Sequence, residues 1–222
     1  MKAKVVNFWQ PATLVGGGEW DQTMLQRAIA LAPHVVAADG AADRLEEAPA
    51  AIVGDMDSIR YPSRWSEAAF LQFDEQESTD FEKCLYAVNA PYYIGVGFTG
   101  RRLDHTLAVH HALLARPEKR VVLLGTHEVC TLVPGGREIS LNLPEGAIVS
   151  FYPLDQVTGT KSTGLRWSIQ GLEMQVGRQI GTSNRAKGGE VRFAFDRLGA
   201  LMMLDPVHLE AMITAFGFNE PL

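Results

Sequence analysis

The chain reads as α/β: an N-terminal Rossmann-like domain on a mostly parallel sheet, followed by a C-terminal all-β sandwich domain. Two observations predict this. As far as Gly125, short apolar runs alternate with helical patterns, which is the signature of βαβ units. After about residue 130 the pieces are short, β-prone and broken by Gly, Pro, Asn and Asp, as in an antiparallel sandwich. The expected division is 1–132 and 133–222, with Pro134-Gly135-Gly136 as the hinge.

In order, the first half offers ATLVG as a strand, EWDQTMLQRAIALA as a helix, then HVVAAD, AAIVGD and AFLQF as strands. TDFEKCLYAVN follows as a helix, YYIGVGF as a strand, RLDHTLAVHHALLA as a helix and KRVVLLG as a strand. The second half offers EISLNLPEGAIVSFYPL, TGLRWSIQGLEMQVG and GGEVRFAFDRLGALMMLD as β-prone pieces, and HLEAMITAF as a closing helix. At 222 residues with 46% hydrophobic side chains, a sizeable core is within reach. A net charge of -6 gives no broad attraction to nucleic acid or an anionic membrane, so neither is an expected partner. Cys84 and Cys130 are expected as buried, reduced thiols, since no zinc spacing joins them. The N-terminus has no cleavable leader pattern and no segment reaches membrane-spanning length, so the expected location is cytoplasmic.

In parallel α/β sheets ligands collect at the carboxyl ends of the strands, and here those ends are acidic. PAAIVGDMDS at 49–58 drives an apolar run into Asp55 and Asp57. Burying two carboxylates there is unfavourable unless a cation or hydrogen-bond donors receive them, although Asp and Ser also suit a plain turn. VVAADGAADRL at 35–45 ends its strand in Asp39, with Gly40 allowing a sharp turn. In DEQESTDFEKCLYAV at 74–88, Ser78 or Thr79 is placed to cap a helix carrying Asp80 in its first turn and Lys83 one turn on, facing phosphate. GFTGRRLDHTLAVHHALL at 97–114 brings Arg101, Arg102, Asp104 and His105 to the start of a helix whose amides suit an anion. His110 and His111 lie further on and read as packed or surface histidines.

Asp39, Asp55, Asp57, Asp80 and Asp104 thus gather at one sheet edge and repel one another, which Mg²⁺ shared with substrate phosphates relieves. That favours a nucleoside triphosphate. No Walker-type GxxxxGK[ST] loop is present, and a Rossmann GxGxxG cofactor loop is not expected.

The series ADGAADRL, P-x-x-IVGDMDS, D-x-x-x-STDFEKC, GFTGRRLDH, GLRW at 164–167 and GTSN at 181–184 resembles the thiamine pyrophosphokinase family over nearly the whole chain. The resemblance implies a homodimer that moves the terminal diphosphate of ATP onto thiamine, giving thiamine diphosphate and AMP, with Mg²⁺ as cofactor. By position it implies Asp55, Asp57 and Asp80 as metal and triphosphate ligands, with Asp39 and Gly40 lining the site and Arg102 and Asp104 orienting the reacting groups. Arg101, Lys83 and His105 fall beside the nucleotide. Trp167 is implied as the ring stacking on thiamine, with Ser183 and Asn184 near it, reaching the site of the other subunit; a core aromatic is the competing reading for Trp167. Two positions depart from the family: Arg101 stands where a glycine is usual, and Ala41 follows Gly40 where a second glycine is common. Two other functions fit parts of the pattern, a Mg²⁺-dependent DxD phosphohydrolase acting through Asp55 and a thiamine or nucleotide sensor without turnover.

Overall fold

A computed structural model describes residues 5–219. Two compact units emerge, one from the residues up to Ala112 with Glu118–Thr126, the other from Leu113–Pro117 with the residues from His127 onward.

In the first unit the strands are β1 (Val6–Asn7), β2 (Ala12–Val15), β3 (His34–Ala38), β4 (Ala51–Gly54), β5 (Ala69–Gln72), β6 (Val88–Asn89), β7 (Tyr93–Val96) and β8 (Val121–Leu124). The helices are α1 (Gln22–Leu31), α2 (Asp80–Ala87) and α3 (Leu103–Ala115), the last running on into the second unit. β2, β7 and β8 pair in parallel, as do β3, β4 and β5. A bridge from Ala12 to Pro33 sets β3 beside β2. β2, β4, β7 and β8 are buried throughout, as expected of parallel strands covered on both faces. β1 and β6, a short parallel pair, were not legible as strands because two residues carry no periodicity.

Helix starts follow local chemistry. Asp21 caps α1 by accepting from the Met24 amide at 2.8 Å. Thr79, rather than Ser78, caps α2 in a full capping box: its Oγ1 accepts from the Glu82 amide, and Glu82 Oε2 accepts from the Thr79 amide at 3.0 Å.

The second unit holds β9 (Val129–Leu132), β10 (Ile139–Leu143), β11 (Ile148–Pro153), β12 (Val157–Thr163), β13 (Glu173–Met174), β14 (Gly181–Arg185), β15 (Gly189–Phe195), β16 (Ala200–Leu204) and α4 (Leu209–Ala215). β9, β16, β11 and β14 are antiparallel neighbours in one sheet in that order; β10, β15, β12 and β13 form another. Phe151 of the first sheet meets Phe193 and Phe195 of the second edge-on, with ring centroids 4.8 and 5.4 Å away, which puts the core of the unit between the two sheets.

Two expectations are corrected. TGLRWSIQGLEMQVG is mostly turn, with only Thr163, the last residue of β12, and Glu173–Met174 in strands. Its alternating residues are interrupted by Gly164 and Gly171, both at positive φ, so the ladder cannot continue. Pro134-Gly135-Gly136 is a packed turn between β9 and β10 inside the second unit, since a Cβ on Gly135 would lie 2.4 Å from the Leu198 amide nitrogen.

Because α2 presents Asp80 in its first turn, its cap matters to the site. Thr79→Ala is expected to lower unfolding free energy by about 1 kcal/mol, measured by urea denaturation; a change near zero would show the capping box contributes nothing.

Candidate functional site

The site grows from two strand ends. Chain leaving β3 at Asp39 enters a 3₁₀ turn over Asp39–Arg44, and Asp39 itself has a positive φ of 44°. Gly40 permits that turn, because a Cβ there would sit 2.8 Å from the Ser58 carbonyl oxygen. Leaving β4, Met56 adopts φ 69° between Asp55 and Asp57, so the DMD segment folds on itself and the Asp57 amide reaches Asp55 Oδ1 at 3.4 Å. Gly54 lets the two strand ends close up, since any Cβ on it would be 2.7 Å from the Asp39 Cβ. One oxygen each of Asp39, Asp55 and Asp57 lies within 4.8 Å of the other two.

Asp39 is buried, and its Oδ1 has no hydrogen-bond partner. Burial, then the charges of Asp80, Asp55 and Asp57, push its carboxyl up to about 6. Asp80, carried by α2, is raised in turn, by burial and by Asp55 and Asp57, while Lys83 and His105 oppose the rise. Asp55 is held below the ordinary range, chiefly because Gln76 Nε2 donates to its Oδ2 at 3.1 Å. An orphaned buried carboxylate oxygen among all-oxygen donors fits a hard divalent cation such as Mg²⁺.

Other expected residues take different places. Lys83 is only 2% exposed, with Nζ 4.0 Å from Asp80 Oδ1, so its charge faces that carboxylate. Arg102 grips Asp104 with Nε and Nη2 at 3.1 and 2.6 Å, an exposed bidentate pair that holds Asp104 down to about 2. Asp104 lies outside the group formed by Asp39, Asp55 and Asp57. Arg101 is exposed, and its charge lowers the Arg44 guanidinium, although burial lowers it more. Arg44 lies over the Trp20 ring at 4.0 Å and donates to the Gly18 carbonyl at 2.7 Å, tying the loop after β2 to the turn after β3. His110 is lowered by burial, and Cys84 and Cys130 are buried free thiols.

In the second unit Trp167 is 53% exposed, which removes the core-aromatic reading, and the Arg166 guanidinium lies 4.8 Å from its ring centre. Ser183 has a positive φ of 62°, and Asn184 is buried against the Trp167 backbone.

Gln76 and Arg44 went unrecognised in the sequence. Each is one polar residue in a polar stretch, and only the fold shows what it touches. The expectation that no GxGxxG segment occurs also needs correction, because GVGFTG at 95–100 has that spacing. Its glycines answer to packing. A Cβ on Gly95, inside β7, would lie 2.9 Å from Leu123 Cδ2, and one on Gly97 would lie 2.5 Å from Trp20 Cδ1.

A parallel α/β unit with carboxylates at its strand ends, followed by an antiparallel β unit, defines the class. Residues 25–123 match the thiamin pyrophosphokinase catalytic domain, and residues 127–198 match the thiamin pyrophosphokinase vitamin B1 binding domain. The chain belongs to the thiamine pyrophosphokinase family. It is 29% identical to thiamine pyrophosphokinase 1 of Oryza sativa subsp. japonica over 69% of this chain and 65% of the relative. Thiamine pyrophosphokinase 2 of Arabidopsis thaliana is 27% identical over 63% of this chain and 59% of its own length, so the chain spans less than two thirds of these two relatives. Thiamin pyrophosphokinase from Candida albicans has a similar fold, with a TM-score of 0.76, 15% identity, and coverage of 88% of this chain and 89% of that one.

The raised Asp39 gives a pH prediction. Its folded value of about 6 lies above the ordinary 3.8, so the stability linked to its protonated form is full below about 4 and is lost as pH rises through about 6. A cation bound by the ionised group offsets that loss. Mg²⁺ is therefore expected to raise the Tm more at pH 7.5 than at pH 5, and Asp39→Asn to flatten the difference; equal shifts at both pH values would remove Asp39 from the cation site.

Proposed function

We propose that the chain is a Mg²⁺-dependent ATP:thiamine diphosphotransferase, forming thiamine diphosphate and AMP. The carrying observation is the unpartnered Asp39 oxygen inside a group of carboxylates at the strand ends of a thiamine pyrophosphokinase family member. In this reading the Rossmann-like first unit holds nucleotide and cation, and the β-sandwich second unit holds thiamine and forms a cytoplasmic homodimer with shared sites. No helix among the described residues is long and apolar enough to cross a membrane.

Asp55 and Asp57 would hold Mg²⁺ together with Asp39, whose oxygen lies within 4.8 Å of theirs, with Asp80 adding its charge from α2 and Gly40 lining the same site. When bound, the cation neutralises phosphate charge and draws the carboxylates together. The hydroxyethyl oxygen of thiamine attacks the β-phosphorus in line as the bond from that phosphorus to the α,β-bridging oxygen breaks, AMP leaves with that oxygen, and the hydroxyl proton passes to a carboxylate of the site, with no covalent enzyme intermediate. The residues act by positioning and charge. Gln76 fixes Asp55, Lys83 fixes Asp80, and His105 lies close enough to Asp80 and Asp104 for its charge to act on both. Arg101, unpaired among the described residues, and Arg102 with Asp104 flank the phosphates. The exposed Trp167 ring stacks on the cationic thiazolium or the flat pyrimidine.

Incubation with ATP, Mg²⁺ and thiamine is expected to yield AMP and thiamine diphosphate in equal amounts, dependent on both additions. Phosphate released without thiamine would replace this reading with a hydrolase, and thiamine binding without turnover would replace it with a sensor. Asp57→Asn is expected to keep the fold and lower kcat by roughly a hundredfold or more. Trp167→Ala is expected to raise the thiamine KM by roughly 3- to 30-fold with the ATP KM unchanged; the reverse pattern would rule out stacking.

A further inference from the structure

The segment carrying Trp167 runs antiparallel to the end of β14, and their ladder changes character at one residue. Lys187 donates to the Gly164 carbonyl at 2.8 Å, Leu165 bridges Ala186, and Arg166 donates to the Arg185 carbonyl at 2.8 Å. At Trp167 the next rung is made by a side chain. Asn184 Oδ1 accepts from the Trp167 amide at 3.1 Å, and Asn184 Nδ2 donates to the Trp167 carbonyl at 2.7 Å. The carboxamide thus stands in for a peptide group, and this pairing fixes which end is oxygen and which is nitrogen.

What turns the Asn184 side chain inward is one residue earlier. Ser183 has φ 62°, its amide donates to Ser150 Oγ at 2.9 Å, and the register of β11 against β14 shifts between Val149 and Phe151. Such an irregularity re-aims neighbouring side chains. Asn184 ends 5% exposed, its Oδ1 also accepting from the Arg185 amide at 2.8 Å. Both acceptor positions of that oxygen are therefore filled from within the unit, and little of the amide is open to a ligand.

We propose that Asn184 is a positioning residue that clamps the backbone of Trp167 and presents its ring to the substrate, and that it does not contact thiamine itself. This deepens the reading in which Trp167 stacks on thiamine, and it rests on that reading. It departs from the expectation of Asn184 as a substrate contact. An exposed ring on a backbone held at both its N–H and its C=O loses little freedom when a flat cation stacks on it, which lowers the entropic penalty of binding.

The test is a double-mutant cycle on the full chain, reading thiamine and ATP KM for the unmodified protein, Asn184→Ala, Trp167→Ala and the pair. Asn184→Ala is expected to raise the thiamine KM about 3- to 10-fold and leave the ATP KM alone. In the Trp167→Ala background the same change is expected to have no further effect. Additive effects would overturn the proposal, since they would mean that Asn184 acts without Trp167. An unchanged thiamine KM in Trp167→Ala alone would overturn the stacking reading and the presentation of the ring with it. Amide hydrogen exchange reports on the clamp independently of activity. The Trp167 amide is expected to exchange slowly in the unmodified protein and faster in Asn184→Ala, whereas rapid exchange in the unmodified protein would overturn the clamp. Should Asn184→Ala not fold, Asn184→Asp sets a carboxylate oxygen against the Trp167 carbonyl in place of the donated bond and is expected to raise the thiamine KM with the ATP KM unchanged; an unchanged thiamine KM there would likewise count against the clamp.

Discussion

Mutual repulsion among carboxylates is the constraint on which the first unit is organised. Asp39, Asp55 and Asp57 are held with oxygens within 4.8 Å of one another, and Asp80 adds its charge from α2. Left alone this arrangement opposes folding at neutral pH. It persists because the backbone around it is overdetermined. β3 and β4 are paired in register as parallel neighbours, Gly54 and Gly40 allow the strand ends to approach, and α2 is anchored by a capping box. The buried Lys83 supplies part of the compensating charge, and a divalent cation supplies the rest in the proposed reading.

Strain marks the same places. Among the described residues, the non-glycine positions with positive φ are Asp39, Met56 and Ser183. Two belong to the carboxylate site, and the third sets up the Asn184 contact that holds Trp167. Each conformation is unfavourable for a side-chain-bearing residue and survives only where its surroundings fix it. In one unit the strained turns aim carboxylates at a cation, and in the other a strained turn aims an amide at the backbone under an aromatic ring.

The expected Arg102 fork toward phosphate is engaged with Asp104, so the pair is preformed and exposed. Its partners can exchange without unfolding anything, because neither side chain is buried. Arg101 has no such engagement among the described residues, and its charge adds to the lowering that burial causes at Arg44. The chain thus carries exposed positive charge beside the turn after β7.

Much of this was legible in the sequence because it follows from local rules. Apolar runs ending in Asp located the strand ends, Ser78-Thr79 ahead of Asp80 located the start of α2 to within a residue, and the change of texture after residue 130 located the shift from parallel to antiparallel structure. The two-residue strands, the disposition of Gln76, Arg44 and Lys83, and the exposure of Trp167 were not legible. A side chain's partner depends on residues far away in sequence: Gln76 meets Asp55 across 21 residues and Asn184 meets Trp167 across 17. Composition and periodicity determined which residue types stand at the strand ends. Only the tertiary structure decided which of them touch, because burial, charge coupling and hydrogen-bond pairing are properties of the space between segments.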